Sequence, residues 1–171
     1  MEKVFGATER HDQLLVFGTN RAVLIYGYGE EDGQGFDYRH VFNHKPTKDE
    51  VQDILIAHID ACTDEKILTG WRWQILHGDD AGKIAKVWLS DENQMNYKAC
   101  HDAAHDYPEL VEFPIRYKVG EDSERKALYE NFENLQELAQ FYLGGTAYVR
   151  ATLTAGWTEK DGLDMTVFGY E

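Results

Sequence analysis

The chain has 171 residues, of which 43% are hydrophobic and 13% aromatic, so it is long and apolar enough to bury a core and is not a disordered tail. Its 17 basic residues stand against 31 acidic ones, a formal net charge of −14. This balance argues against a protein that binds nucleic acid through its phosphates, and against one held on an anionic membrane surface.

Targeting signals and cysteines add little. No apolar run approaches the roughly 18 residues of a membrane-spanning helix, and the first residues lack the basic start and apolar stretch of a signal peptide. We therefore expect a cytoplasmic protein. Cys62 and Cys100 form no C-x-x-C pair. A disulfide between them is one alternative, but isolated cysteines in the cytoplasm usually serve as small buried groups.

The first part of the chain predicts a β-meander followed by a helix. Branched and aromatic residues fill three short runs, at 13–18, 22–29 and 36–42, and turn-forming residues separate them. The helix opens at Thr47, because Glu50 follows it at the capping-box spacing. We place a small N-terminal domain, meander plus helix, at residues 1–66.

The remainder, residues 67–171, predicts a second α+β domain. Two strands, "WRWQIL" and "KIAKVWL", form a hairpin, and Ser90 caps a helix that runs to about Tyr107. A second hairpin, "VEFPIRYKV" with "KALYENF", precedes a long helix that starts near Glu133 and continues through Gly144-Gly145. The predicted fold class is α+β, with antiparallel strands and hairpins and about three helices packed on one face.

The stretch "CHDAAHD", residues 100–106, is close to a zinc-binding spacing. His101 and His105 lie four residues apart, near the H-E-x-x-H pattern of some metalloproteases. A catalytic zinc needs a third protein ligand, and the spacing nominates none. On a helical wheel both histidines lie outside the predicted buried arc and are expected to face solvent. That arc holds Met95, Tyr97, Ala99, Cys100, Ala103, Ala104 and Tyr107. We therefore predict no metal site, no catalytic residue and no cofactor, with His101 and His105 as a metal-binding alternative.

Trp71 and Trp73 alternate on one predicted strand, and Trp88 lies on its partner. Alternate residues of a strand point to the same face, so Trp71 and Trp73 could form a platform for a sugar or another protein. Core packing is the preferred interpretation, because aromatic residues in strands usually fill the interior. Exposure of the two rings distinguishes these interpretations.

Three short motifs stand out in the second half of the chain. They are Leu89-Ser90 with Gln94, Pro114-Ile115 with Tyr117-Lys118, and Gly156-Trp157 with Lys160-Asp161. These motifs resemble a phage and prophage family of unknown function whose members are tail-associated, with a strand entering L-[ST]-x-x-x-Q, a P-[IV]-x-[WYF]-K strand and a closing G-W-x-x-K-D. The N-terminal part is also similar to the openings of such proteins in prophages of gut anaerobes. The resemblance covers most of the chain, and its motifs are structural, so it implies no active site.

Three functional hypotheses follow. The first is a non-enzymatic tail-assembly or structural protein that contacts other virion proteins or further copies of itself, in the host cytoplasm or in the particle. It predicts an exposed apolar patch on the single subunit. The second is a metal-dependent hydrolase that uses His101 and His105. The third is a carbohydrate-binding module that presents Trp71 and Trp73.

Overall fold

The computed structural model describes all 171 residues and confirms the α+β class, with eight strands and three α-helices. The strands form two antiparallel sheets of four strands each. The chain divides into two compact units, which we call unit 1 (Met1–Ala61 with Trp157–Glu171) and unit 2 (Cys62–Gly156). The boundary expected after residue 66 therefore lies inside a helix, and the last residues group with the N-terminal sheet instead of with residues 67–156.

Unit 1 contains the first sheet, in the order β1-β4-β3-β2. Its strands are β1 (Glu2–Phe5), β2 (Gln13–Phe17), β3 (Arg21–Glu31) and β4 (Gln34–Phe42). Strands β2 to β4 are the predicted meander. Strand β1 was not among the predicted strands: it has only four residues, begins with two charged ones, and pairs with β4.

The turn between β3 and β4 shows why the glycine-rich stretch at 27–35 forms a hairpin. Asp32 and Gly33 both have positive φ angles, of 51° and 77°, as a two-residue type I′ turn requires. The backbone twist of this turn matches that of the flanking strands, so the chain reverses directly from one strand to the next.

Helix α1 (Lys48–Gly70) begins with the predicted capping box. The Thr47 backbone N–H donates to Glu50 Oε2 at 2.7 Å, and the Glu50 N–H donates to Thr47 Oγ1 at 3.3 Å. These bonds satisfy two amide groups that the first helical turn leaves without partners. Side chains of its first half then pack on one face of the sheet, together with a C-terminal 3-10 turn (Met165–Phe168).

Unit 2 contains the second sheet, in the order β5-β6-β7-β8. Its strands are β5 (Arg72–Gln74), β6 (Ile84–Lys86), β7 (Ile115–Glu121) and β8 (Ala127–Phe132), and its helix is α2 (Asp91–Asp106). Both predicted hairpins are confirmed. Ser90 caps α2 as expected, since its hydroxyl accepts a hydrogen bond from the Asn93 N–H.

Helix α3 (Leu135–Asp161) continues through Gly144-Gly145 as predicted. A Cβ atom placed on either glycine would lie 3.1 Å from the ring of Trp71. Close packing of an indole on the helix backbone therefore explains the pair, which otherwise lowers helix stability by about 1 kcal/mol per glycine relative to alanine. No helix of the protein combines the length and apolar character needed to cross a membrane.

Candidate functional site

The histidines of "CHDAAHD" lie beside one another on α2. The ring centroids of His101 and His105 are 6.1 Å apart. The Asp102 carboxylate accepts hydrogen bonds from Lys98 and His101, and the Lys98 bond is the main reason that the pKa of Asp102 is lowered. Across the chain, no three His, Cys, Asp or Glu side chains form a group that could hold a metal ion.

The predicted outward orientation is wrong for His101. Its side chain is only 18% exposed, against 65% for His105, and its ring lies 5.0 Å from that of Tyr142. The buried face of α2 centres on Tyr97 and Ala104. The wheel placed both of these residues in its buried arc, but it also placed there four residues that are exposed: Met95, Ala99, Ala103 and Tyr107. Each alanine buries only one methyl group, so the large Tyr97 side chain decides which face packs inward.

Trp71 and Trp73 pack against the core of unit 2 instead of forming an open platform. Both indole rings lie 5.1 Å from the Phe141 ring, measured between centroids. The Trp73 indole N–H also donates to the Glu130 carboxylate at 2.9 Å. Trp71, just before β5, and Trp73, within it, are therefore partly buried against this core.

Glu130 is a buried carboxylate that no sequence motif marks. It is fully enclosed, and besides the indole of Trp73 it accepts hydrogen bonds from the backbone N–H groups of Leu76, His77 and Asn131 at 2.7–3.1 Å. These four hydrogen bonds satisfy the acceptor oxygens that burial removes from water. The sequence did contain a sign that Glu130 is buried: it alternates along β8 with Leu128 and Phe132, and all three side chains point inward.

The connection between β5 and β6, residues 75–83, contains Leu76 and His77, whose N–H groups donate to Glu130. This connection also supplies Asp80, whose carboxylate accepts a hydrogen bond from the Tyr129 N–H at 3.2 Å and pairs with Lys83 at 2.7 Å. The Lys83 hydrogen bond lowers the pKa of Asp80 most strongly. The connection therefore folds back onto β8. Glu130 and its hydrogen-bond donors stabilise this arrangement, and the Glu130 side chain is not accessible to a ligand.

Trp88 is the half-exposed tryptophan of unit 2, at 42%. It lines two cavities, of about 500 and 590 Å³, and Glu121 lines both as well. The Asn93 side chain donates to the Trp88 carbonyl at 2.9 Å, which fixes the backbone beneath the ring. The Lys86 ammonium lies 5.8 Å from the ring centroid.

A smaller cavity of about 290 Å³ lies in unit 1, between β3 and the C-terminal residues. The Tyr26 hydroxyl donates to Glu159 at 2.8 Å, and the Arg10 guanidinium carbon lies 5.2 Å from the Tyr26 ring centroid. Burial, followed by the Glu159 hydrogen bond, raises the pKa of Tyr26 far above its usual range. The Tyr26 hydroxyl therefore stays protonated at neutral pH and is not a general base.

The outer face of the unit 1 sheet carries exposed apolar side chains. The opposite face packs on α1 through Leu24 and its neighbours, so the alternate residues of the strands point away from the core. Leu15, Val23 and Val41 are directly opposite one another on three adjacent strands. Val41 is 50% exposed, and Phe17, two residues beyond Leu15, is 56% exposed. We call Leu15, Phe17, Val23 and Val41 the outer apolar row.

Charged residues border the outer apolar row. Arg21 is opposite Phe17 in the strand register, and Arg39 is opposite Ile25. The Arg39 guanidinium donates to both oxygens of the buried Asp37 carboxylate, at 2.7 and 3.0 Å. An apolar centre with a polar rim is the composition of a protein-binding surface.

The geometry thus defines an α+β protein with an exposed apolar row on part of one sheet face and one tryptophan-lined pair of cavities. No protein-family model matches the chain, and no curated protein or solved structure matches it.

Proposed function

We propose that the chain is a non-enzymatic structural or assembly protein of a phage or prophage tail, and that it works through protein-protein contacts. The observation that carries the proposal is the outer apolar row. Soluble single subunits rarely keep large contiguous apolar surface in water, and a patch with a polar rim is typical of an interaction site. The resemblance of three sequence motifs to tail-associated proteins supports the viral setting.

The partner that this surface fits is a second copy of the chain. A two-fold axis brings the same patch of both copies together, so an apolar row meets an apolar row. The net charge of −14 makes two copies repel elsewhere on their surfaces. In each copy, Arg21 and the ion pair of Arg39 with Asp37 form the polar rim of the row. The assembled form would then contact other virion proteins in the host cytoplasm or in the particle.

Native mass spectrometry of the untagged protein tests this proposal. We expect a metal-free oligomer for the wild type, and Phe17→Glu should weaken self-association by about tenfold or more, because it buries a charge in the interface. The matched control is Leu143→Glu, on α3, since Leu143 is 57% exposed and lies outside the row. This control should leave the oligomer intact.

Two results would count against the proposal. A wild-type monomer at all accessible concentrations would remove the second copy as the partner. A monomer that carries one zinc ion per chain, lost in His101→Ala, would favour the metal-dependent hydrolase instead.

A further inference from the structure

The three tryptophans of unit 2 differ in how much of each ring is exposed to solvent. Trp71 and Trp73 are packed against the core, whereas Trp88 leaves 42% of its surface exposed. The exposed part of the indole ring does not gain the free energy that burial of apolar surface would contribute. Part of the Trp88 ring is therefore not buried by the core and is free to contact a ligand.

The surroundings of Trp88 are concave. The two cavities lined by Trp88 and Glu121 have volumes of about 500 and 590 Å³, within the range of small-molecule sites. Tyr97 and Tyr117 add aromatic surface to the first cavity. Together they offer an aromatic wall with room for a ligand of one or a few rings.

The polar groups of the cavities are held in place by the fold. Asn93 donates to the Trp88 carbonyl, as described above. On the other side, Asp122 accepts hydrogen bonds from the Glu124 and Lys126 N–H groups, both at 2.9 Å. This loop includes Arg125 at a positive φ of 64°. A wall made from a hydrogen-bonded turn loses little conformational entropy when a ligand binds.

The polar lining mixes donors with acceptors instead of concentrating one charge. Lys86, Lys118 and Arg125 supply N–H donors, whereas Glu121 and Asp122 supply carboxylate acceptors. A phosphate or other strong anion would meet the two carboxylates, and a simple cation would meet the three basic groups. A ligand whose hydroxyl groups both donate and accept fits this lining better.

We propose that Trp88 and its two cavities bind a neutral carbohydrate. One sugar ring stacks its C–H face on the Trp88 indole, and its hydroxyl groups donate to Glu121 and accept from the basic side chains. Such ligands combine an apolar face with a polar rim, which matches an aromatic surface with polar groups around it. The site lies in unit 2 and is independent of self-association through the outer apolar row of unit 1.

Nuclear magnetic resonance of the intact protein tests this site, because each of the four tryptophans gives its own indole N–H signal. The probes are soluble oligosaccharides of glucose, galactose, N-acetylglucosamine and rhamnose, each titrated to millimolar concentration. We expect at least one probe to shift the Trp88 signal in a saturable way and to leave the Trp157 signal in place.

Variants assign the binding to the ring. Trp88→Ala should weaken binding of that probe by about tenfold or more, and Trp88→Phe should retain part of the affinity because it keeps an aromatic face. Trp157→Ala is the matched control, since Trp157 is also half-exposed but belongs to unit 1, and it should bind normally.

Three outcomes would overturn the proposal. The first is a panel in which no probe moves the Trp88 signal. The second is unchanged binding in a folded Trp88→Ala protein. The third is a Trp88 signal that shifts with protein concentration alone, which would show that a second copy covers the ring. Neither of the first two outcomes would affect the proposal of self-association through unit 1.

Discussion

The two sheets have the same number of strands and the same antiparallel pairing, yet they differ in what covers them. The unit 1 sheet packs one face on α1 and leaves the other with the outer apolar row exposed. In unit 2 the β5–β6 connection folds back onto the outermost strand, β8, and Glu130 fixes it there. The difference shows that the connections, more than the strands, decide which part of a sheet is available to a partner.

Removing the Glu130 carboxylate should have the largest effect on this comparison. Glu130→Ala leaves three backbone N–H groups and the Trp73 indole N–H without their acceptor, and it opens a cavity. We expect a loss of about 3–5 kcal/mol in the free energy of unfolding. Urea unfolding followed by tryptophan fluorescence measures it. The exposed control Glu133→Ala should lie within about 0.5 kcal/mol of wild type, and an equally small change in Glu130→Ala would contradict the structural role.

A smaller loss is expected where α3 meets Trp71. Gly145→Ala gains about 1 kcal/mol of helix propensity, but its methyl group would lie 3.1 Å from the Trp71 ring. That ring is held by Trp73 and Phe141, so overpacking should win and give a net loss of about 1–2 kcal/mol. The comparison variant is Ala147→Gly, at an exposed position of the same helix, which should also lose about 1 kcal/mol. A more stable Gly145→Ala protein would show that Trp71 can move aside.

The pH dependence of stability should report on the core of unit 1. His58 is buried beside Tyr26 and Tyr38. Burial lowers its pKa, the N-terminal ammonium lowers it further, and Glu159 opposes both. The unfolded chain therefore binds the proton more readily than the folded protein does. Stability should be fully present above the unfolded value of about 6.5, and should fall as the pH decreases from there to the folded pKa.

Urea unfolding between about pH 7.5 and 5.5, above most carboxyl titration, measures this slope. His58→Gln should flatten it, whereas the exposed control His105→Gln should not. Some slope will remain in His58→Gln, because burial also lowers the pKa of His40. An identical slope in wild type and His58→Gln would show that His58 does not contribute.

The smallest effect on stability is expected at the outer apolar row. Phe17→Thr exchanges a half-exposed aromatic residue for a residue that also favours strands. Under dilute conditions the free energy of unfolding should change by no more than about 0.5 kcal/mol. A loss comparable to that of Glu130→Ala would mean that Phe17 belongs to the folded core and not to an interaction surface.

The candidate surfaces could be predicted only in part. The run "QLLVF" of β2 is apolar at consecutive positions, which signals that both faces of the strand carry apolar side chains. Which face stays open depends on where α1 packs, and that is a long-range contact. Trp71, Trp73 and Trp88 share one residue type and one hairpin region, so their sequence spacing could not separate two packed rings from one exposed ring.

Local patterns in the sequence determined the α+β class, the capping box at Thr47, the Ser90 cap, both hairpins and the continuity of α3 through its glycine pair. These features depend on residues within a few positions of one another, where backbone preferences act directly. The tertiary structure alone decided that His101 turns inward, that residues 157–171 group with the first sheet, and that Glu130 anchors a distant connection. Each of these depends on contacts between residues far apart in the chain, which side-chain volume and hydrogen-bond satisfaction select only once the fold has formed.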